Sequence, residues 1–313
     1  MSKYILSRVI AMVLTLFIIV TIAFMVVRLM PGSVYDNPDY SIEIIQALEA
    51  KAHLDKPIVV QYLYYLKGVM AGDWGVSVKM APSVPVFEVI KERIPVSMQL
   101  NLISLFIALP FGIMTGTIAA LNKSKMPDYV ISFMVVIFIS VPSFVFASLM
   151  QYFLSFKFGL FPIVFAATAT GVAKWHSMIL PVLALSFGPI ATVTRYLRGE
   201  LIETLSSEYM LLARTKGLTK TQATIKHAFR NSCVPLANII IPMFTGILGG
   251  SLVVERIFSI PGIGGIMIDS VNTHDHFLTV AVLLFYSIIS LTTILLVDIS
   301  YGIIDPRIRL GGK

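Results

Sequence analysis

Apolar residues fill this chain in long runs, and polar residues gather in the stretches between them. A helix crossing the hydrocarbon core of a bilayer needs roughly 20 apolar residues. Six runs meet that length, near residues 9–29, 97–121, 129–156, 177–197, 233–254 and 277–302. Pro181, Gly188 and Pro189 interrupt the fourth. Such breakers are tolerated in a span where neighbouring helices satisfy the freed backbone groups. The one long polar connection lies between the first two runs, at about residues 31–95, and carries Asp36, Asp39, Glu43, Glu49, Asp55, Asp73, Glu88 and Glu92. Within it Ile42, Ile45, Leu48 and Ala52 recur at helical spacing. Pro57 then opens a second helix expected to bury Val60, Leu63, Tyr64 and Leu66. This connection reads either as a cap lying on the membrane or as a docking surface for an outside partner.

Composition agrees with the pattern. Of 313 residues, 57% are hydrophobic and 13% charged, against about 25% charged in soluble domains. The run from Tyr4 to Met30 is too long for the apolar part of a signal peptide and has no small-residue cleavage site before Pro31-Gly32, so it reads as a retained first span. Lysine and arginine then fix the orientation. With the N-terminus inside, the inner segments hold Lys3, Arg8, Lys123, Lys125, Arg195, Arg198, Arg214, Lys216, Lys220, Lys226, Arg230, Arg307, Arg309 and Lys313. The two short outer connections hold only Lys157, Lys174 and Arg256. The net charge of +7 is therefore a membrane signature and not a sign of nucleic acid. The single cysteine, Cys233, excludes an internal disulfide and a cysteine metal cluster.

Residues 206–231, SSEYMLLARTKGLTKTQATIKHAFRN, are too charged to cross a bilayer and carry helix punctuation. Ser206 or Ser207 can cap a helix whose first turn holds Glu208. Arg214 and Lys216 sit at its end, where cations are favoured, and Gly217 follows as a stop. Thr219 and Gln222 have capping-box spacing for a second helix, which feeds the fifth span. Tyr209, Leu212 and Ala213 suggest a surface that another protein covers. The plain alternative is a basic loop held at the lipid surface.

The run EYMLLARTKGL, followed by HAFRNS and Pro235, resembles the coupling-loop signature of bacterial ABC importer permeases of the dipeptide/oligopeptide/nickel branch. The stricter Glu-Ala-Ala form is absent, since Leu211, Leu212 and Ala213 stand there; Tyr209, Ala213, Arg214, Lys216 and Gly217 match the branch-specific form. The resemblance extends through YILSRVI and MPG, KPIVVQYLYYLKGVMAGDWGVS, RIPVSMQLNL, VPSFVFASL, ILPVLAL, TRYLRGELIE, GGSLVVERIFSIPGIGG and LLVDISYGIIDPRIR, in that order.

The resemblance implies an all-α membrane protein with six transmembrane helices and both termini cytoplasmic. An extracytoplasmic helical segment follows the first span, and a cytoplasmic coupling helix lies between spans four and five. The expected divisions are a first span at 1–30, the extracytoplasmic segment at 31–95, and a permease core at 96–313 with its coupling loop at 198–231. The chain would form half of a translocation pathway for short peptides in the cell membrane, with no catalytic residue. It would pair with a second permease subunit, two ABC ATPase subunits and an extracytoplasmic substrate-binding protein. Glu208, Tyr209, Ala213, Arg214, Lys216 and Gly217 would dock the ATPase. ATP and Mg would be bound by the partners, and this chain would hold no cofactor or metal. The sequence also has no G-x-x-x-x-G-K-[ST] phosphate loop. Nickel and metal-chelate importers share these motifs, so the cargo stays open between them and peptides.

Other residues carry readings of their own. Glu255 and Arg256 read as an interfacial ion pair at a span end, or, with Pro261, Gly262, Gly264 and Gly265, as part of an outer gate loop. Asp298, near the inner end of the last span, is a functional candidate or a packing partner. Asp305-Pro306-Arg307 ends the last helix and anchors the tail. His274, Asp275 and His276 lack the further ligands a metal site needs. Trp74 and Trp175 fit an aromatic belt, and Arg28 is placed to snorkel. An ion-coupled secondary transporter would want ionisable residues at mid-span, and the runs carry almost none; nor do they hold the paired residues of an intramembrane enzyme.

Overall fold

A computed structural model describes residues 2–29, 34–35, 40–245, 247 and 251–304. Pro31-Gly32, Asp36, Asp39 and the tail from Asp305 to Lys313 lie outside the described residues. Among the described residues every regular element is helical, apart from one isolated bridge between Val76 and Pro85.

Two long helices form the centre: α4 (Val86–Leu121) and α7 (Val172–Leu205). Small residues let them approach closely, as expected where lipid supplies no hydrophobic drive between helices. A Cβ on Gly112 would come within 2.8 Å of Val193 Cγ1, and one on Gly116 within 3.1 Å of Leu197 Cβ. Hydroxyls pair across the seam, Ser104 with Ser186 at 3.2 Å and Thr115 with Thr194 at 2.7 Å. Ser186 and Thr194 also donate to their own helix, at Val182 O and Ile190 O. The paired positions, Ser104 with Ser186, Gly112 with Val193 and Gly116 with Leu197, rise together, so α4 and α7 run parallel. The chain between them must therefore return from one end to the other.

The return is made by α5 (Met126–Ser140) and α6 (Ser143–Met150), the latter continuing as π-helical turns over Gln151–Lys157. The apolar run at 129–156 predicts one straight helix, but the axis bends by 98°. Pro142 is the cause: it disfavours helical geometry at the residue before it, and Val141 is extended (φ −94°, ψ 122°). Conversely, α7 passes unbroken through Pro181 and Pro189. The run at 233–254 is not one helix either. It gives α10 (Arg230–Thr245), then extended Ser251, then α11 (Leu252–Ile257) and α12 (Ile263–Asn272).

The first helix, α1 (Ser2–Leu29), lies antiparallel to the last, α13 (His276–Ile304). Ala23 and Val27 meet Val280 near one end, and Arg8 pairs with Asp298 at 3.1 Å near the other. Asp298 is thus an ion-pair partner of the first helix. Among the described residues four helices are long and apolar enough to cross a membrane: Ile5–Leu29, Val86–Leu121, Val172–Leu205 and His276–Ile299. The bent pair Met126–Ser140 and Ser143–Lys157 makes a fifth. The 16 residues of α10 span about 24 Å, short of a hydrocarbon core about 30 Å thick.

Between α1 and α4 stand α2 (Ile42–Lys51) and α3 (Ile58–Met70). On α2 the inward face keeps Ile45, Leu48 and Ala52, while Ile42 is exposed. On α3 the expected face is only half right, because Leu63 and Tyr64 are exposed. Gln61, Tyr62 and Tyr65 turn inward, since they can satisfy polar groups at the end of α1 as well as pack on it. Arg28 Nε donates to Gln61 Oε1 at 2.5 Å, Tyr62 OH lies 2.5 Å from Thr21 Oγ1, and Phe24 stacks on Tyr65. Arg28 therefore docks α3 onto the end of α1. Val86, Val89 and Ile90 are buried and make residues 86–95 the first turns of α4.

Candidate functional site

At one end of the α4–α7 pair the chain leaves α7 and turns through two short helices, α8 (Glu208–Thr215) and α9 (Lys220–Ala223). Ser207 is the N-cap by position, yet its hydroxyl donates back to Thr204 O at 2.5 Å. Glu208 sits in the first turn. The end of α8 closes as a Schellman motif. Gly217 has φ +92°, its N–H donates to Arg214 O at 3.0 Å, and the Leu218 N–H donates to Ala213 O at 3.3 Å. Leu218 packs beside Ala213 and completes the motif's apolar contact. Thr219 and Gln222 form the expected capping box, with reciprocal bonds of 3.1 and 3.3 Å. From Ala223 the backbone runs through π-helical turns over Thr224–Phe229 into α10.

Burial sorts the docking candidates into two faces. Met210 and Ala213 pack on Ala120, Leu201, Ala223 and Ala228. Ala213 is therefore part of the chain's own core and is not on an open surface. Tyr209, Leu211, Leu212, Arg214 and Lys216 are exposed, with Leu211 at 65% and Leu212 at 54%. The i, i+3 spacing of Met210 and Ala213 is the signal that separates the faces.

Higher on α7, Arg198 grips the buried Asp128 of α5 through two bonds of 2.5 and 2.8 Å. Asp128 also accepts the Ser124 N–H at 2.9 Å. A two-bond guanidinium–carboxylate clamp fixes both position and angle. The start of α5 is thereby tied to the helix that carries the elbow. The charge pattern marks Arg198 only as an inner cation; the signal for its partner is Asp128 in the first turn of α5, where an acid is favoured.

The Glu255 corner lacks the expected ion pair with Arg256 and brings Glu255 to Gly262 and Gly264. Glu255 is 1% exposed and does not pair with Arg256, which reaches Asp269 at 2.7 Å instead. The Glu255 carboxylate accepts from Ser97 Oγ (2.7 Å), the Ser251 N–H (3.1 Å) and the Gly264 N–H (2.8 Å). Ser97 Oγ in turn accepts the Ile263 N–H at 2.9 Å. An acid at the N-terminus of α12 meets its free amides and its dipole. The glycines serve close approach here. A Cβ on Gly262 would strike Glu255 and Ser97, and one on Gly264 would come within 2.8 Å of the Leu252 backbone. Pro261 is half-buried at the turn before Gly262. This corner joins α4, α11 and α12 rigidly.

Asp275 plays the matching part at the start of α13. It is buried, and its Oδ2 accepts from Ser77 Oγ (2.6 Å) and the N–H groups of Val78 (3.1 Å), Lys79 (3.0 Å) and Met80 (3.1 Å). The His274-Asp275-His276 run thus pins the connection before α4 to α13. Among the described residues no group of three His, Cys, Asp or Glu side chains could hold a metal ion. Trp74 packs edge-on to Phe87, and Trp175 is exposed.

Residues 100–310 match the family described as binding-protein-dependent transport system inner membrane component, and residues 1–101 match its N-terminal family. A dipeptide transport system permease protein of Lactococcus lactis is 41% identical over 310 residues, covering 99% of this chain and 100% of that protein. An oligopeptide transport system permease protein of Haemophilus influenzae is 34% identical, again over 99% and 100%. A glutathione transport system permease protein of Salmonella choleraesuis is 33% identical, over 99% of each. Among solved structures, an amino acid ABC transporter with histidines superposes with a TM-score of 0.51 at 16% identity, covering 68% of this chain and 92% of that one, a likeness of fold. The chain belongs to the binding-protein-dependent transport system inner membrane component family, and is a multi-pass membrane subunit of a transport system and not an enzyme.

Proposed function

We propose that this chain forms half of the translocation pathway of an ATP-driven importer of short peptides. The observation that carries the reading is the elbow. Its backbone is closed by a Schellman motif and a capping box, its inner face is packed against α4 and α7, and its outer face leaves Leu211 and Leu212 uncovered. Such a face suits a groove on an ATPase subunit. Glu208, Tyr209, Arg214 and Lys216 would flank the contact and fix its orientation more than its affinity, and Gly217 would hold the bend. Motion of the elbow would pass into α7, and through Arg198 and Asp128 into α5, as rigid elements. The chain has no phosphate loop, so ATP and Mg would be held by two ATPase partners.

The remaining parts follow from the fold. Parallel α4 and α7 and antiparallel α1 and α13 support six crossings, α10 to α12 making the fifth, and the inner lysines and arginines would put the N-terminus in the cytoplasm. On this reading 1–30 is the first span, 31–95 the extracytoplasmic segment facing a substrate-binding protein, and 96–313 the core that pairs with a second permease. The corner of Glu255, Pro261, Gly262 and Gly264 would brace the outer gate. Relatives named for dipeptide, oligopeptide and glutathione transport support peptides over nickel or a metal chelate.

Cross-linking tests the docking face. With Cys233 replaced by serine, a cysteine at Leu211 or Leu212 should join the ATPase through a short bifunctional reagent, and one at Met210 should not. Failure at both exposed positions in the assembled complex would overturn the assignment.

A further inference from the structure

A cavity of about 710 Å³ lies where the ends of α1 and α13 meet α2, α3 and the loop after α3. Its size falls within the roughly 300–1,000 Å³ of small-molecule sites. Its lining includes the apolar Phe24, Val27 and Val280, which are buried near the contact of the first and last helices. Nearby on α1, Ile22 is 57% and Val26 58% exposed. The same lining holds the basic Arg28, Lys51 and Lys67, with His53 and His276. Asp73 is the only acid among the described lining residues, and its Oδ1 already accepts the Gly75 N–H at 3.0 Å. His276 is 8% exposed, and its Nδ1 has no hydrogen-bond partner among the described residues.

Basic and apolar lining residues in one cavity at the end of two membrane helices describe an amphiphile with an anionic head. We propose that the cavity binds one anionic phospholipid, its phosphate among Arg28, Lys51 and Lys67 and the upper part of an acyl chain along Phe24, Val27 and Val280. A free phosphate would use the basic residues alone. A neutral lipid would use the apolar residues alone. The site needs only that α1 and α13 lie in the membrane, so it stands or fails separately from the coupling to an ATPase.

The test uses the assembled transporter in nanodiscs of phosphatidylcholine, with or without phosphatidylglycerol as a minor component. Native mass spectrometry then counts the lipid retained. The expected result is one phosphatidylglycerol held in preference to phosphatidylcholine. The paired substitutions Lys51→Gln and Lys67→Gln should weaken retention by about fivefold per lysine. Both lysines are exposed, so folding is not at stake. Equal retention of the two lipids, or unchanged retention in the double variant, overturns the proposal. Displacement by excess inorganic phosphate reassigns the cavity as a free-anion site, and displacement by a dipeptide reassigns it to cargo; either outcome rejects the lipid.

Discussion

Replacing Glu255 with alanine should destabilise the chain more than any change at the neighbouring Arg256. The Glu255 carboxylate is 1% exposed and satisfies the N–H groups of Ser251 and Gly264 together with the Ser97 hydroxyl. Alanine strands two backbone donors, each costing about 1–3 kcal/mol when buried without a partner. The hydroxyl of Ser97 can rotate to another acceptor, so its loss adds less. A total of about 3 kcal/mol follows. Glu255→Gln keeps the shape and one good acceptor oxygen, and should cost about half as much. Arg256→Gln removes an exposed ion pair with Asp269, worth about 0–1 kcal/mol. The assay is the fraction of monodisperse protein left after heating in mild detergent, read by size-exclusion chromatography. The expected order of midpoints is wild type and Arg256→Gln together, then Glu255→Gln, then Glu255→Ala several degrees lower. Equal midpoints for wild type and Glu255→Ala would show that the carboxylate does not hold this corner. A larger loss at Arg256 would restore the ion-pair reading.

Gly217→Val should leave the thermal midpoint nearly unchanged while reducing ATPase co-purification and uptake. Its Cβ meets open space, so the cost is that of a left-handed backbone (φ +92°), about 1–2 kcal/mol, spent locally on the elbow. Asp275→Asn exchanges one acceptor of four donors for an amide, and should speed proteolysis within residues 77–83 without changing the elbow cross-link. Gly112→Val places its Cβ within 2.8 Å of Val193, and should lower the yield of folded protein, as overpacking by about 1–3 kcal/mol or more predicts. A Gly188→Ala change on the same central pair, where a Cβ meets nothing within 4 Å, should be tolerated.

The elbow was legible in the sequence because its signals are local. A positive-φ glycine, a Thr-x-x-Gln box and an acid in a first turn each act within a few residues. Which side of α8 faces inward is less plain, because Ala213 and Leu212 are both apolar; the i, i+3 partnership of Ala213 with Met210, packed on Ala120 and Leu201, marks the inner face. The long apolar runs located the central helices, while their breaks needed neighbours: Pro142 bends α5 into α6, yet Pro181 and Pro189 leave α7 whole. Three carboxylates organise the fold: Asp128, which carries no reading of its own in the sequence; Glu255, which reads as an ion-pair or gate-loop residue; and Asp275, which reads as part of a ligand-poor His-Asp-His run. Their partners are Arg198, Ser97 and the amides of Val78 to Met80, which stand 70 to 197 residues away, and no spacing rule reaches that far.

The central claim is that ATP hydrolysed on separate subunits drives peptides through a pathway this chain half forms. It is tested most directly by uptake of a labelled dipeptide into proteoliposomes. With the second permease, the ATPase subunits and the binding protein present, uptake should require ATP and should fall to background when this chain carries Gly217→Val. Uptake by this chain alone, driven by an ion gradient and indifferent to ATP, would contradict the account.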